Sequence, residues 1–137
     1  MIPNDTNTFS LAQAFTEDLK NKYGKKFLPK QVIIPEGDSK KEVYVILSGE
    51  VFVTTKILTG YRIIATLGPG EIFGEMAFFD DTPRTATIIA KTNVDAIVLK
   101  PENFVEVYKK SPEWTLRIMS FLSHRISATL KAVQELY

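Results

Sequence analysis

The chain has 137 residues, 45% of them apolar, which suits one compact domain with a buried core. Its formal net charge of +1 argues against a DNA-binding face, which needs a basic surplus to displace counterions. It has no cysteine, which excludes disulfide scaffolds, thiolate zinc sites and cysteine nucleophiles.

The N-terminal residues Met1-Ile2-Pro3-Asn4-Asp5-Thr6 lack the basic and apolar regions of a signal peptide. No apolar run approaches the ~20 residues needed to span a bilayer. A cytoplasmic protein with no membrane attachment is the expectation.

Residues 1–9 are polar and read as a flexible N-terminus. Residues 10–26 read as an N-terminal helix: Ser10 is the N-cap, Leu11, Phe15 and Leu19 recur at i, i+4, and Gly24 marks the end. Lys20, Lys22, Lys25, Lys26 and Lys30 read as a solvated helix end and turn. From 27 to 100 the pattern changes to short β-branched and aromatic runs at 32–34, 43–47, 51–57, 61–67, 85–90 and 94–99, separated by turn residues. Strands this short and this evenly spaced predict a mainly β domain, an antiparallel jelly-roll barrel. Gly49 and Gly60 are expected to supply positive φ in tight hairpins.

Residues 101–137 read as C-terminal helices. The first begins at Pro101 and places Phe104, Val107 and Tyr108 on one face. The second begins at Ser111-Pro112-Glu113, with serine as N-cap and proline at the first helical position. Its Met119, Leu122, Ile126, Thr129, Val133 and Leu136 form a heptad seam with one polar place. Leu116, Ile118, Phe121 and Leu130 widen the apolar surface. One face is expected on the barrel and another on a partner helix.

Catalytic chemistry finds little to work with. The one histidine, His124, lies in the last helix, whereas a metal-binding barrel of the cupin type needs several histidines on its strands. Ser123 beside it makes no triad, because adjacent helical residues point apart. The glycines of Gly68-Pro69-Gly70-Glu71-Ile72-Phe73-Gly74 are spaced wrongly for a dinucleotide loop and lack a βαβ frame. No catalytic residue, no metal and no enzyme activity are expected.

Residues 72–87 remain. Gly74 permits close backbone approach. The N–H groups at the start of a turn over 75–79 can bind an anion. Arg84 offers a planar, permanently charged fork for phosphate oxygens. Glu75 beside a phosphate is awkward unless it faces a donor such as a sugar hydroxyl. The same two residues also read as an ordinary salt bridge over a turn, and spacing leaves both readings open.

Phe73-Gly74-Glu75-Met76-Ala77 followed by Pro83-Arg84-Thr85-Ala86-Thr87 resembles the phosphate-binding cassette of cyclic-nucleotide-binding domains, the family of bacterial catabolite activators, protein kinase A and G regulatory segments and nucleotide-gated channels. The resemblance extends to Val43-Tyr44-Val45-Ile46-Leu47-Ser48-Gly49-Glu50-Val51 and Pro35-Glu36-Gly37-Asp38, and covers the chain from about residue 10 onward. It implies that Glu75 accepts from the ribose 2′-hydroxyl and Arg84 pairs with the cyclic phosphate. Backbone N–H groups of Glu75, Met76, Ala77 and Thr85 complete the phosphate shell, Gly74 allows the close backbone approach, and Ile63, Ile64, Met76 and Ala86 are apolar walls. Thr85 permits cyclic GMP without requiring it; likeness to the bacterial activators favours cyclic AMP.

The last helix resembles the activators' long C-terminal helix, which places Thr129 where adenine is contacted, or as a tolerated polar place in the seam. Leu130 departs from the hydroxyl residue found there in the activators. The chain reaches Tyr137 without a visible helix-turn-helix, kinase-inhibitor or channel segment. The resemblance therefore implies a regulatory sensor that either acts through an unidentified effector protein or is part of a longer protein, with a possible homodimer through the C-terminal helix and no direct DNA binding expected. The competing expectation is a degenerate barrel serving as an interaction or dimerisation module.

Overall fold

The computed structural model describes residues 17–74, 84, 86–110 and 112. Helix α1 (Glu17–Tyr23) leads into strands β1 (Gly24–Phe27), β2 (Val32–Ile34), β3 (Val43–Ser48), β4 (Val51–Ile57), β5 (Gly60–Leu67), β6 (Ile72–Phe73), β7 (Thr87–Ala90) and β8 (Val94–Leu99). A 3-10 turn (Pro101–Asn103) and helix α2 (Phe104–Lys110) follow. The strands form two four-stranded sheets, ordered β1-β8-β3-β6 and β2-β7-β4-β5. Every pairing is antiparallel. The mainly β, antiparallel architecture expected from the strand spacing is therefore present. The expected long C-terminal helix and the start of the N-terminal helix lie outside the described residues.

Two apolar clusters explain the layering. Side chains alternate along a strand, so Tyr44 and Ile46 of β3 face one way and Val43 and Val45 the other. Tyr44 and Ile46 join Ile34, Val51, Phe73, Ile88, Ala90, Val94, Ala96 and Val98 between the sheets. Val43 and Val45 join Ile72, Ile97 and Leu99 on the outer face, where Leu19 of α1 and Val107 of α2 cover them. β3 is thus buried on both faces, which explains its unbroken apolar run.

Several expectations change. Gly49 and Gly60 do take positive φ, 89° and 137°. Only Gly60 closes a hairpin, however, with Ile57 opposite Gly60. Gly49 turns the chain from one sheet to the other, and a Cβ there would lie 2.0 Å from the Asn93 carbonyl oxygen. Residues 24–26, which the sequence pattern assigns to the helix end, instead pair with β8 together with Phe27 as an edge strand. Their burial shows no alternation, so no strand pattern betrayed them. The strand expected at 85–90 begins at Thr87. Tyr108 is exposed rather than sharing the face of Val107, because one helical step rotates a side chain by about 100°.

The lysines of the first helix are not simply solvated. Lys22 Nζ donates to both carboxylate oxygens of Glu106 at 2.8 Å, and Tyr23 Oη donates to the same carboxylate. Lys110 pairs with Asp18 and, at 3.7 Å, with Glu106. These contacts join α1 to α2 across the outer face. The bonds from Lys22 and Tyr23 hold the Glu106 carboxyl below the usual carboxylate range. A carboxyl depressed in the fold stabilises above its unfolded pKa, and that contribution is lost as pH falls through the folded value. Glu106→Gln is therefore expected to lower stability at neutral pH and to shrink the loss on acidification. Thermal unfolding at stepped pH values from neutral to acid checks this.

Candidate functional site

Arg84 is the centre of the site. Its backbone bonds in both directions to the 35–38 turn: Arg84 N donates to the Asp38 carbonyl at 2.9 Å, and Gly37 N donates to the Arg84 carbonyl at 2.8 Å. The turn is fixed in its own right. Glu36 N donates to Thr87 Oγ1 at 3.0 Å, and Thr54 Oγ1 donates to the Thr87 carbonyl at 2.9 Å. Thr54 and Thr87 are both buried, and the bond from Thr54 to the Thr87 carbonyl is made where water does not compete.

The guanidinium reaches inward to two backbone carbonyls. Nη1 donates to the Gly74 carbonyl at 2.8 Å and Nη2 to the Glu42 carbonyl at 2.6 Å. The side chain is only 8% exposed. Nε is buried with no hydrogen-bond partner among the described residues. No carboxylate among the described residues forms an ion pair with the group. Among the described residues its positive charge is therefore met by neutral carbonyl dipoles, and its Nε–H makes no bond. A buried cation in that condition favours an anion.

Gly74 makes the grip possible. It follows β6 directly, with φ of 83°, where a side chain is strained. A Cβ there would lie 2.7 Å from Arg84 Nη1 and 2.7 Å from the Glu42 carbonyl oxygen. The close approach expected at this glycine is thus made in the structure to the chain's own arginine.

Behind the site, Tyr44 of β3 sits opposite Phe73 of β6. Their rings are stacked, 4.7 Å between centroids and 5° apart in plane. Phe27 closes the group at 6.3 Å and 56°. The Tyr44 hydroxyl is pushed up to about 12, chiefly by burial and next by the Glu42 carboxylate, so it stays neutral.

The structure brings Gly74 and Arg84 together. Ala86 follows at a half-buried bend before β7. Ile63 and Ile64 lie on β5 in the second sheet, both more than half exposed. Neighbouring residues are both exposed because β5 is exposed along its whole length up to Thr66, and Ile64 is also the extra residue of a bulge, Val53 pairing with Ala65 and Thr54 with Ile63. Glu75, Met76, Ala77, Thr85 and Thr129 lie outside the described residues. Sequence reasoning missed Glu42, Tyr44 and Asp38. Two of these act through backbone oxygens, which any residue supplies, so nothing in their identity could have pointed to them. Among the described residues no group of three or more His, Asp or Glu side chains is placed to hold a metal.

The family model described as "Cyclic nucleotide-binding domain" matches residues 24–111. The chain belongs to this family. The domain is 40% identical over 76 residues to the cAMP-dependent protein kinase regulatory subunit of Yarrowia lipolytica, covering 56% of this chain and 20% of that protein. It is 30% identical over 95 residues to the Cyclic AMP receptor protein of Thermus thermophilus, covering 69% of this chain and 44% of the relative. The chain thus spans less than half the length of these curated relatives. The crystal structure of the Thermus thermophilus catabolite activator protein superposes with a TM-score of 0.67 at 23% identity, covering 97% of this chain and 60% of that one, which shows a shared fold.

Gly74→Ala is expected to destabilise the domain by about 1–3 kcal/mol, through its φ and the clash with Arg84. Urea denaturation with an unchanged slope is the measurement.

Proposed function

We propose that this cyclic-nucleotide-binding domain is a non-catalytic sensor for cyclic AMP, with cyclic GMP as a permitted ligand. The observation that carries this reading is the buried Arg84 guanidinium, held by two backbone carbonyls, with Nε unpartnered among the described residues. Arg84 pairs with the cyclic phosphate. Glu75 accepts from the ribose 2′-hydroxyl, and the backbone of Gly74, Met76, Ala77 and Thr85 completes the phosphate shell beside Ala86. Ile63 and Ile64 offer exposed apolar surface to the base. Thr129 faces the base from the C-terminal segment. The preference for cyclic AMP is supported by relatives named as cAMP-dependent and cyclic AMP receptor proteins.

Signalling follows from a shift of the C-terminal helix between two positions. The ligand moves that equilibrium only by its difference in affinity for the two. The effector is a partner protein or a further segment of a longer polypeptide, as in relatives as different as a kinase regulatory subunit and a transcriptional regulator. The domain works inside the cell, without direct DNA contact, and pairs with a second copy through that helix. Among the described residues no helix is long and apolar enough to cross a membrane.

A thermal-shift panel with cyclic AMP, cyclic GMP and a cyclic dinucleotide tests the reading. Ligand at ~100 times its dissociation constant should add about 2.7 kcal/mol of stability. Arg84→Ala should abolish that shift. It should also lower the ligand-free stability by about 1–3 kcal/mol, because the Gly74 and Glu42 carbonyls lose their donor. No shift of the unmodified protein with any nucleotide would favour an interaction module instead. Hydrogen exchange across residues 113–137 should change on ligand addition; identical protection would refute helix movement.

A further inference from the structure

The two carbonyls that hold Arg84 flank two paired strands of one sheet. Glu42 lies just before β3 and Gly74 just after β6. β6 has two residues and two register pairs to β3, Tyr44 with Phe73 and Val45 with Ile72. The Tyr44–Phe73 pair is the last one before the chain reaches both acceptors. β6 is an edge strand among the described elements, and its other ties to β3 lie on the far side of that pair, where Ile46 N donates to the Glu71 carbonyl at 3.0 Å and Gly70 N to the Ile46 carbonyl at 2.7 Å.

That last pair is also the parallel aromatic stack, and both rings are buried. A cross-strand aromatic pair stabilises its section of an antiparallel ladder beyond its area burial, so this stack strengthens β3–β6 pairing right beside both acceptors. Phe27 braces the stack from the side. The Tyr44 hydroxyl is 3.5 Å from Glu42 Oε2, so it adds little as a hydrogen bond, and the ring is the working part.

We infer that the Tyr44–Phe73 stack is the positioning device for the anion site: it holds the Gly74 and Glu42 carbonyls at the separation that the Arg84 guanidinium spans, and so aims Arg84 at its ligand. Neither ring is assigned a contact with the nucleotide. The ligand side of this inference rests on the reading above; the geometric side does not.

The experiment uses the full chain with Phe73→Leu, Tyr44→Leu and Tyr44→Phe. The Nε–H resonance of Arg84 is followed by nitrogen–proton correlation on nucleotide-free protein, assigned by its absence in Arg84→Lys. Affinity for cyclic AMP and cyclic GMP is measured by titration calorimetry. Both leucine variants are expected to unfold cooperatively, to shift the Arg84 resonance and to weaken the bound nucleotide by about tenfold or more, the cost of lost preorganisation. Tyr44→Phe, which keeps the ring, is expected to match the unmodified protein in both. An unshifted resonance in a folded leucine variant overturns the inference. So does a Tyr44→Phe variant that behaves like Tyr44→Leu, because the hydroxyl would then be the acting group. If the unmodified protein binds neither nucleotide, the ligand reading fails on its own, and the resonance still decides whether the stack positions Arg84.

Discussion

A permanent cation held under the surface by neutral oxygens is the constraint around which this domain is arranged. Hydrogen bonds from a charged donor contribute roughly 1.5–3 kcal/mol each. Taking a guanidinium out of water costs several kcal/mol even after relaxation. The two bonds of Arg84 to Gly74 and Glu42 therefore about offset its burial and leave no large surplus. The group is tolerated rather than strongly stabilising, and its Nε stays buried without a partner among the described residues. Structure has been spent on keeping it there: a glycine at positive φ, a turn bonded to its backbone and two buried threonines behind that turn.

The scaffold around this point divides the work. The inner cluster sets the distance between the sheets, and with it the place of β7 and of the residues leading into it. The outer cluster is finished by Leu19 and Val107, one from each flanking helix, and the Glu106 network ties those helices to each other. β3 contributes to both clusters and, through Glu42, to the arginine. It is the element where core packing and the hold on Arg84 meet.

Much of this was legible in the sequence. β-branched runs broken by Gly, Pro and Asn gave the strands, because period and turn chemistry are local properties. The grip on Arg84 was not legible, because it is made of carbonyl oxygens brought together over separations of 10 and 42 residues. The lysine-rich β1 was hidden for another reason: an exposed edge strand has no apolar alternation to reveal it. Gly49 was read correctly for its backbone and wrongly for its role, since a positive φ looks the same in a hairpin and at a corner between sheets. Residues 75–77 carried the most specific motif and stand outside the described residues, so their part in the site rests on the family pattern.

The irregularity at the end of β3 has a wider meaning. Ile46 pairs with Ala96 and Ser48 with Asp95, so Leu47 is an extra residue in the ladder. A strand apolar on both faces gains little from one register over the next, because a slip exchanges one set of buried side chains for another. The bulge and the Ser48–Asp95 bond, 3.1 Å long, break that near-degeneracy. Drift at Leu47 or Ser48 would therefore be felt along the β3–β8 ladder, which runs from Val43 to Ser48 and carries both apolar clusters.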